Sequence, residues 1–372
     1  MFSMVLGWIF GLLFLALVIF TLMAGRFLPA LIALIPVLLL LPPIREAAYG
    51  VFNFTLPWWA RTILVLGLLF AYAYGIMVVA SGFEGVYKTA EIKEQHFQLY
   101  DEKLAQWPTD YEDVYVDTSY GKVHVIVSGP EDGPPMLLLN AAAMSGWSWL
   151  YNVGEFNKEY RTYAVDTLGE VGKSELTDYL TYPTNEKEYA DLHVEITDAL
   201  GIEKAYVVGA SFGGFMATSY AMYYPERVEK LALLGPMGMT PQTGKTALRI
   251  MFVQLYPLKS IQQNTVQWAL GTDEFTLAES EEWFKIVLTS TMPREGHPVG
   301  FTPQQVQGIN VPVLLVIGSR DSLTGDPQKV IELAENAPDI RIEVLDSGHL
   351  IGVEKADTVN PMIMEYFGKV NK

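Results

Sequence analysis

The pentapeptide Gly209-Ala210-Ser211-Phe212-Gly213 falls between an apolar run, Ala205-Tyr206-Val207-Val208, and a helical pattern that Pro225 ends. A sharp turn from strand into helix at this point would strain the serine backbone and lift its hydroxyl above a sheet. Small residues at 209 and 213 would let neighbouring segments pass close by. The helix start offers N–H groups and a positive dipole end to developing negative charge. A serine hydroxyl attacks only when a base takes its proton, and that base needs a carboxylate to orient it. The chain has five histidines. His124 reads as part of a strand, His193 as part of a helix and His96 as part of a connector, while His297 sits beside Pro298. His349 follows a late strand, in Asp346-Ser347-Gly348-His349, where a loop can carry it over the sheet. Three acids compete for the orienting role. Asp321 follows the strand ending at Ile317-Gly318. Asp326 better suits an N-cap ahead of Pro327, and Asp346 could help hold the His349 loop. No acid follows Leu231–Leu234. Ser211, Asp321 and His349 are thus the candidate catalytic set: a hydroxyl nucleophile, its base and the carboxylate that orients the base.

The elements that must position them come from hydrophobic period. Val114–Val116 and Val123–Val127 alternate as strands, with Ser119-Tyr120-Gly121 as the turn. Met136–Leu139, Tyr163–Val165, Ala205–Val208, Leu231–Leu234, Val313–Ile317 and Ile342–Leu345 are short apolar runs suited to strands buried on both faces. Helical spacing covers Glu186–Leu200, Phe212–Tyr224, Pro327–Asn336 and Thr358–Tyr366. Alternation of this kind predicts an α/β class: a mostly parallel sheet with helices on both faces. Pro236–Gly308 breaks the rhythm and reads as helical. An insertion there would lie over the carboxyl ends of the strands, so residues 236–308 are expected to form a cap over the site.

The chain order Ser, Asp, His, with a cap and a late pair of strands between, resembles the α/β-hydrolase family. The likeness covers about Val114 to Lys369. It implies an α/β-hydrolase fold and acyl transfer in which Ser211 attacks a carbonyl, His349 shuttles the proton and Asp321 fixes the imidazole. It also implies an oxyanion hole made by the N–H groups of Phe212 and Ala142, the latter in the loop Asn140-Ala141-Ala142-Ala143-Met144-Ser145. This loop departs from the family, which commonly has His-Gly where Asn140-Ala141 stand, and loss of glycine restricts the backbone. Asp166-Thr167-Leu168-Gly169 with Gly172-Lys173-Ser174 resembles the family's loop after the fourth strand, with one residue extra. The same stretch looks like the end of a phosphate-binding loop, but the full motif needs glycine where Thr167 stands.

Charge divides the chain in two. The protein has 25 basic and 42 acidic residues, for a net charge of −17. From Met1 to Ser81 the only charged residues are Arg26, Arg45, Arg61 and Glu46, so the whole negative excess lies beyond. An acidic domain repels phosphates and argues against nucleic acid. There is no cysteine, which excludes disulfides, thiolate catalysis and Cys-based zinc sites. No metal or organic cofactor is implied. Met1–Gly25 and Thr62–Phe83 are uncharged and long enough to cross a bilayer, which takes about 20 apolar residues. Phe27–Ile44 is interrupted by Pro29, Pro36, Pro42 and Pro43. A cleaved signal peptide fits poorly, because no basic residue precedes the first run and further apolar runs follow. Residues 1–83 are therefore expected to be a membrane region of two or three spans, 84–113 a helical linker, and 114–372 the hydrolase-like domain. Arg45 and Arg61 flank the second loop, against Arg26 in the first. The positive-inside bias then puts the acidic domain on the extracytoplasmic side.

A membrane-tethered hydrolase of carboxylic esters with hydrophobic or lipid-like acyl groups is the leading function. Lactones, thioesters, peptides and carbon–carbon bonds yield to the same machinery. Epoxide and haloalkane hydrolysis would place aspartate at position 211. A non-catalytic receptor or scaffold of the same fold is the alternative from another class. A transporter is disfavoured by the absence of charge within the apolar runs.

Overall fold

The computed structural model of the protein describes residues 86–87, 89–178, 181–240 and 300–368, with isolated positions elsewhere that include Gly271, Trp283 and Val287. Glu84–Lys372 forms one compact unit by its internal contacts. It contains a nine-stranded sheet. The strands are β1 (Tyr111–Asp117), β2 (Gly121–Ser128), β3 (Pro135–Leu139), β4 (Arg161–Val165), β5 (Glu175–Leu176), β6 (Ala205–Ala210), β7 (Val228–Leu234), β8 (Val313–Gly318) and β9 (Ile340–Leu345). Their order is β1-β2-β4-β3-β6-β7-β8-β9, with β5 beside β2. Strand β2 runs antiparallel to β1, β4 and β5, and from β4 through β3 to β9 every pairing is parallel.

Side chains along a strand point alternately to opposite faces, and the two cores follow that alternation. Leu137, Leu139, Val207, Leu231, Leu233, Val313 and Leu315 pack on one face. Met136, Leu138, Val208, Ala232, Leu234, Leu314 and Val316 pack on the other. The first face is covered by α3 (Glu186–Ala199) and α4 (Phe212–Tyr223), whose Tyr189, Ile196, Phe215 and Met216 meet the sheet. The second is covered by α1 (Ala90–Leu104), α2 (Leu150–Phe156) and α8 (Ala356–Phe367), through Tyr100, Phe156 and Ile363. Helices α5 (Pro303–Gln307) and α6 (Pro327–Ala334) join the first face through Val306, Val330 and Ala334, and α7 (Ile351–Glu354) joins the second through Ile351. Their N-caps are legible: Asn185 accepts from the Glu188 N–H, and Thr302 with Gln305 forms a capping box.

Residues 84–113, expected as a linker outside the domain, are part of it. Helix α1 buries His96, Leu99, Tyr100 and Leu104, which recur at the three- and four-residue spacing of one helix face. Tyr111–Asp113 already belong to β1. The charged residues interleaved along α1 mask its inward stripe in the sequence.

The ends of the expected cap are described. Phe301 donates its N–H to the Gly238 carbonyl at 2.7 Å and stacks on Phe215 with ring centroids 5.2 Å apart. Val306 and Ile309 join the core. The body of the 236–308 cap lies outside the described residues, apart from Gly271, Trp283 and Val287. The expected spans in residues 1–83 also lie outside them, except at scattered positions. Among the described residues, no helix is long and apolar enough to cross a membrane.

Candidate active site

Ser211 sits between β6 and α4 with φ 51° and ψ −112°, a conformation that a residue with a Cβ rarely adopts. Three backbone bonds hold it there. Its N–H donates to the Leu234 carbonyl at 2.9 Å, and its carbonyl accepts from Met237 at 2.9 Å and Phe215 at 3.2 Å. The flanking glycines answer a need for close approach. A methyl at 213 would run into the Leu139 carbonyl, and one at 209 into the Gly213 carbonyl.

His349 follows β9 and reaches back over the sheet. Its Nε2 lies 2.8 Å from Ser211 Oγ and its Nδ1 lies 2.7 Å from Asp321 Oδ2. A carboxylate only accepts, so Nδ1 carries the hydrogen and Nε2 is left to accept the serine proton. Asp321 follows β8 and is gripped from its own loop. Its Oδ1 accepts N–H bonds from Leu323 at 2.9 Å and Thr324 at 3.0 Å, and Oδ2 also accepts from the Thr324 hydroxyl. Burial opposes its charge, but His349 and the Thr324 bonds outweigh burial and hold the carboxyl below its ordinary value. All three side chains are buried.

The competing acids have other work. Asp326 caps α6 by accepting from Gln328 at 3.1 Å. Asp346 accepts from Arg320 Nε at 3.0 Å, and Arg320 also pairs with Glu354, whose other oxygen takes the Gly348 N–H at 3.0 Å. The His349 loop is thus held from outside by ion pairs. Thr324 escaped the sequence reading, although the spacing Asp321-Ser322-Leu323-Thr324 is the kind in which a carboxylate closes a turn on a following N–H.

A pocket opens beside Ser211 and His349, lined by Met144, Trp149, Asn152, Leu234, Ile351 and Val353. It is largely apolar. Of the expected oxyanion donors, Phe212 begins α4 directly after the serine. Ala142 is exposed in the loop after β3, next to Ala141, which lines the same pocket. The phosphate-loop alternative finds no support in the geometry. Lys173 donates its N–H to Asp166 Oδ2 at 2.8 Å and its Nζ to Asp101 at 2.6 Å, and Ser174 Oγ donates to the Asp166 carbonyl at 2.6 Å. The short strand β5 follows, rather than a helix.

Comparison with known proteins agrees with this layout. A family model described as the alpha/beta hydrolase fold matches residues 134–274. The uncharacterized carboxylesterase nap of Bacillus subtilis (strain 168) is 31% identical over 299 residues, which covers 73% of this chain and 92% of that protein. Carboxylesterase YbfK of the same organism is 28% identical over 283 residues, with 73% and 92% covered. The crystal structure of naproxen esterase (carboxylesterase NP) from Bacillus subtilis superposes with a TM-score of 0.69 at 29% identity, covering 75% of this chain and 99% of that one. Likeness that runs nearly the full length of these proteins goes well past a few shared motifs, and the chain belongs to the α/β-hydrolase family.

Proposed function

We propose that the protein is a membrane-anchored serine esterase that cleaves carboxylic esters with hydrophobic or lipid-like acyl groups. The observation that carries this reading is the imidazole of His349 bridging a hydroxyl at 2.8 Å and a carboxylate at 2.7 Å. His349 Nε2 takes the Ser211 proton as Oγ bonds to the ester carbonyl carbon. The oxyanion that forms is met by the N–H groups of Phe212 and Ala142. Collapse breaks the bond to the alcohol oxygen, which leaves with the proton from His349. Water then attacks the acyl-enzyme along the same path and frees Ser211. Asp321 keeps the imidazole in one tautomer and balances its transient positive charge. The apolar pocket suits an apolar acyl chain, and the carboxylesterase names of the Bacillus subtilis relatives support ester bonds over other acyl bonds.

The membrane half of the reading rests on the uncharged runs Met1–Gly25 and Thr62–Phe83, with the acidic domain on the extracytoplasmic side. One preparation tests both halves. A fluorophosphonate probe should label the full-length chain at Ser211 and leave Ser211→Ala unlabelled. The chain should stay with the membrane after an alkaline wash, and protease added to intact cells should reach the domain. Absence of labelling in folded wild-type protein would favour a non-catalytic scaffold, and release by the wash would remove the anchor.

A further inference from the structure

The loop after β3 has no glycine in Asn140-Ala141-Ala142-Ala143, yet Ala143 stands at φ 61°. That left-handed conformation crowds the Cβ of an L-residue and is the province of glycine. Two side chains from outside the loop grip this residue. The Ala143 N–H donates to Glu170 Oε2 at 3.0 Å, and Trp283 Nε1–H donates to the Ala143 carbonyl at 2.6 Å. Glu170 comes from the loop after β4, in the stretch that carries one residue more than the family pattern. Trp283 comes from the insertion. It is fully buried, with its ring 4.0 Å from that of His96 and edge-on to Trp147 at 4.8 Å. A side chain wedged between two rings gives its N–H a fixed direction.

The neighbouring peptide shows what this grip achieves. The Ala141 carbonyl accepts from Asn140 Nδ2 at 3.0 Å and from the Met144 N–H at 3.2 Å, so it faces into the loop. Asn140 Nδ2 also donates to the Met144 carbonyl at 2.6 Å. No peptide bond here is cis. In a planar trans peptide the C=O and N–H point to opposite sides. The Ala142 N–H, on the same unit as the Ala141 carbonyl, therefore points out of the loop. Ala143 is the left-handed third residue of the turn that closes the Met144 N–H onto the Ala141 carbonyl, the position that a type II turn reserves for glycine.

We propose that Glu170 and Trp283 are positioning residues for the oxyanion hole. By clamping Ala143 from both sides they keep a glycine-free loop in a glycine-like turn and so aim the Ala142 N–H. The insertion thereby contributes to the chemical step through Trp283. This inference rests on the acyl-enzyme reading above.

The test uses the full-length chain and p-nitrophenyl esters. Trp283→Phe keeps the ring and removes the N–H; Glu170→Ala removes the acceptor, and Glu170→Gln restores one. Trp283→Phe and Glu170→Ala should each lower kcat by about tenfold to a hundredfold with KM nearly unchanged, the signature of a lost transition-state contact. Glu170→Gln should stay near wild type. Adding Ala143→Gly to Trp283→Phe should recover most of the lost kcat, because glycine holds the turn unaided. A purely structural role would not show that recovery. If Trp283→Phe does not fold, Glu170→Ala with and without Ala143→Gly carries the same test. Unchanged kcat in the clamp variants, or a loss that Ala143→Gly leaves in place, overturns the proposal. Ser211→Ala is measured alongside. Full turnover in that variant would end the acyl-enzyme reading itself, whereas its inactivity beside unimpaired clamp variants would end only this inference.

Discussion

Two buried imidazoles in this domain share one half of their surroundings and differ in the other. His349 and His124 each place Nδ1 against a buried carboxylate, Asp321 at 2.7 Å and Asp166 at 3.0 Å. At Nε2 they part: His349 meets the Ser211 hydroxyl at 2.8 Å, and His124 meets a second carboxylate, Asp113, at 2.7 Å. Carboxylates only accept, so both nitrogens of His124 carry hydrogen and the ring is a cation. Burial opposes that charge, but the bonds to Asp113 and Asp166 outweigh it and hold the pKa up at about 9. A ring that keeps its proton cannot take one from a nucleophile. The histidine–carboxylate pair is therefore neutral as to role, and the third partner decides between chemistry and structure. The structural role of His124 is visible in Asp166. That carboxylate also accepts from Tyr100 in α1 at 3.2 Å, from the Gly146 N–H at 2.6 Å and from the Lys173 N–H at 2.8 Å. It ties together α1 and the loops after β3 and β4.

Substitution at the two rings should have opposite consequences. His349→Ala and Ser211→Ala should each lower kcat about 10⁴-fold or more, while the urea midpoint of unfolding moves little. His124→Ala leaves two carboxylates facing each other and should cost about 3–5 kcal/mol of stability, read from the same urea curves. Its kcat, measured on the folded fraction, should stay within about tenfold of wild type, since no group at the reacting atoms is lost. Equal collapse of kcat at both positions would break the distinction.

The cation has a pH signature. In the folded protein His124 titrates at about 9, against 6.5 ordinarily. Between those values the folded chain binds a proton that the unfolded chain has released, so stability falls as pH rises. The contribution is complete below about 6.5 and is lost as pH passes through 9. Thermal melting of wild type should thus decline across this interval. Asp113→Asn removes one of the two acids and should flatten the decline. The Asp113 carboxyl is held low chiefly by its hydrogen bond with His124, so the same variant should also weaken acid-side dependence. A wild-type melting temperature that is level from pH 6.5 to 9 would contradict a charged His124.

The sequence exposed the hydrogen-bonded set of Ser211, His349 and Asp321 more readily than its support. Ser211 and His349 were legible because strand ends are marked by apolar runs that stop at small residues, and few hydroxyl and imidazole groups fall there. Asp321 followed because Asp326 and Asp346 had local roles available, which they fill. The strand alternation was legible because both faces of the sheet are buried. The parts that stayed hidden depend on contacts distant in sequence. His124 looked like a strand residue, and nothing local links it to Asp166, 42 positions on. Helix α1 looked like a connector because its polar residues outnumber its buried ones. Glu170 and Trp283 meet at Ala143 from positions 27 and 140 residues further along the chain, and only the folded chain brings them there.

A third buried histidine completes the comparison by having neither kind of partner. His96 lies in α1 between the rings of Tyr87, at 5.1 Å, and Trp283, at 4.0 Å. Neither of its nitrogens meets a hydrogen-bond partner among the described residues. Burial pushes its pKa down to about 4, against a weaker upward pull from Asp166. The sign is opposite to that of His124. Between pH 6.5 and 4 the unfolded chain binds a proton that the folded chain refuses, so stability falls as pH falls. His96→Phe keeps a ring against Trp283 and removes both the titration and an unsatisfied polar group. It should raise stability by about 1 kcal/mol near pH 7.5 and by more at pH 5, where wild type alone carries the proton cost. Melting curves of the two proteins at both pH values measure this directly. An advantage of equal size at pH 5 and 7.5 would mean that the imidazole is charged or solvated in the fold. The three rings would then differ by less than their contacts imply.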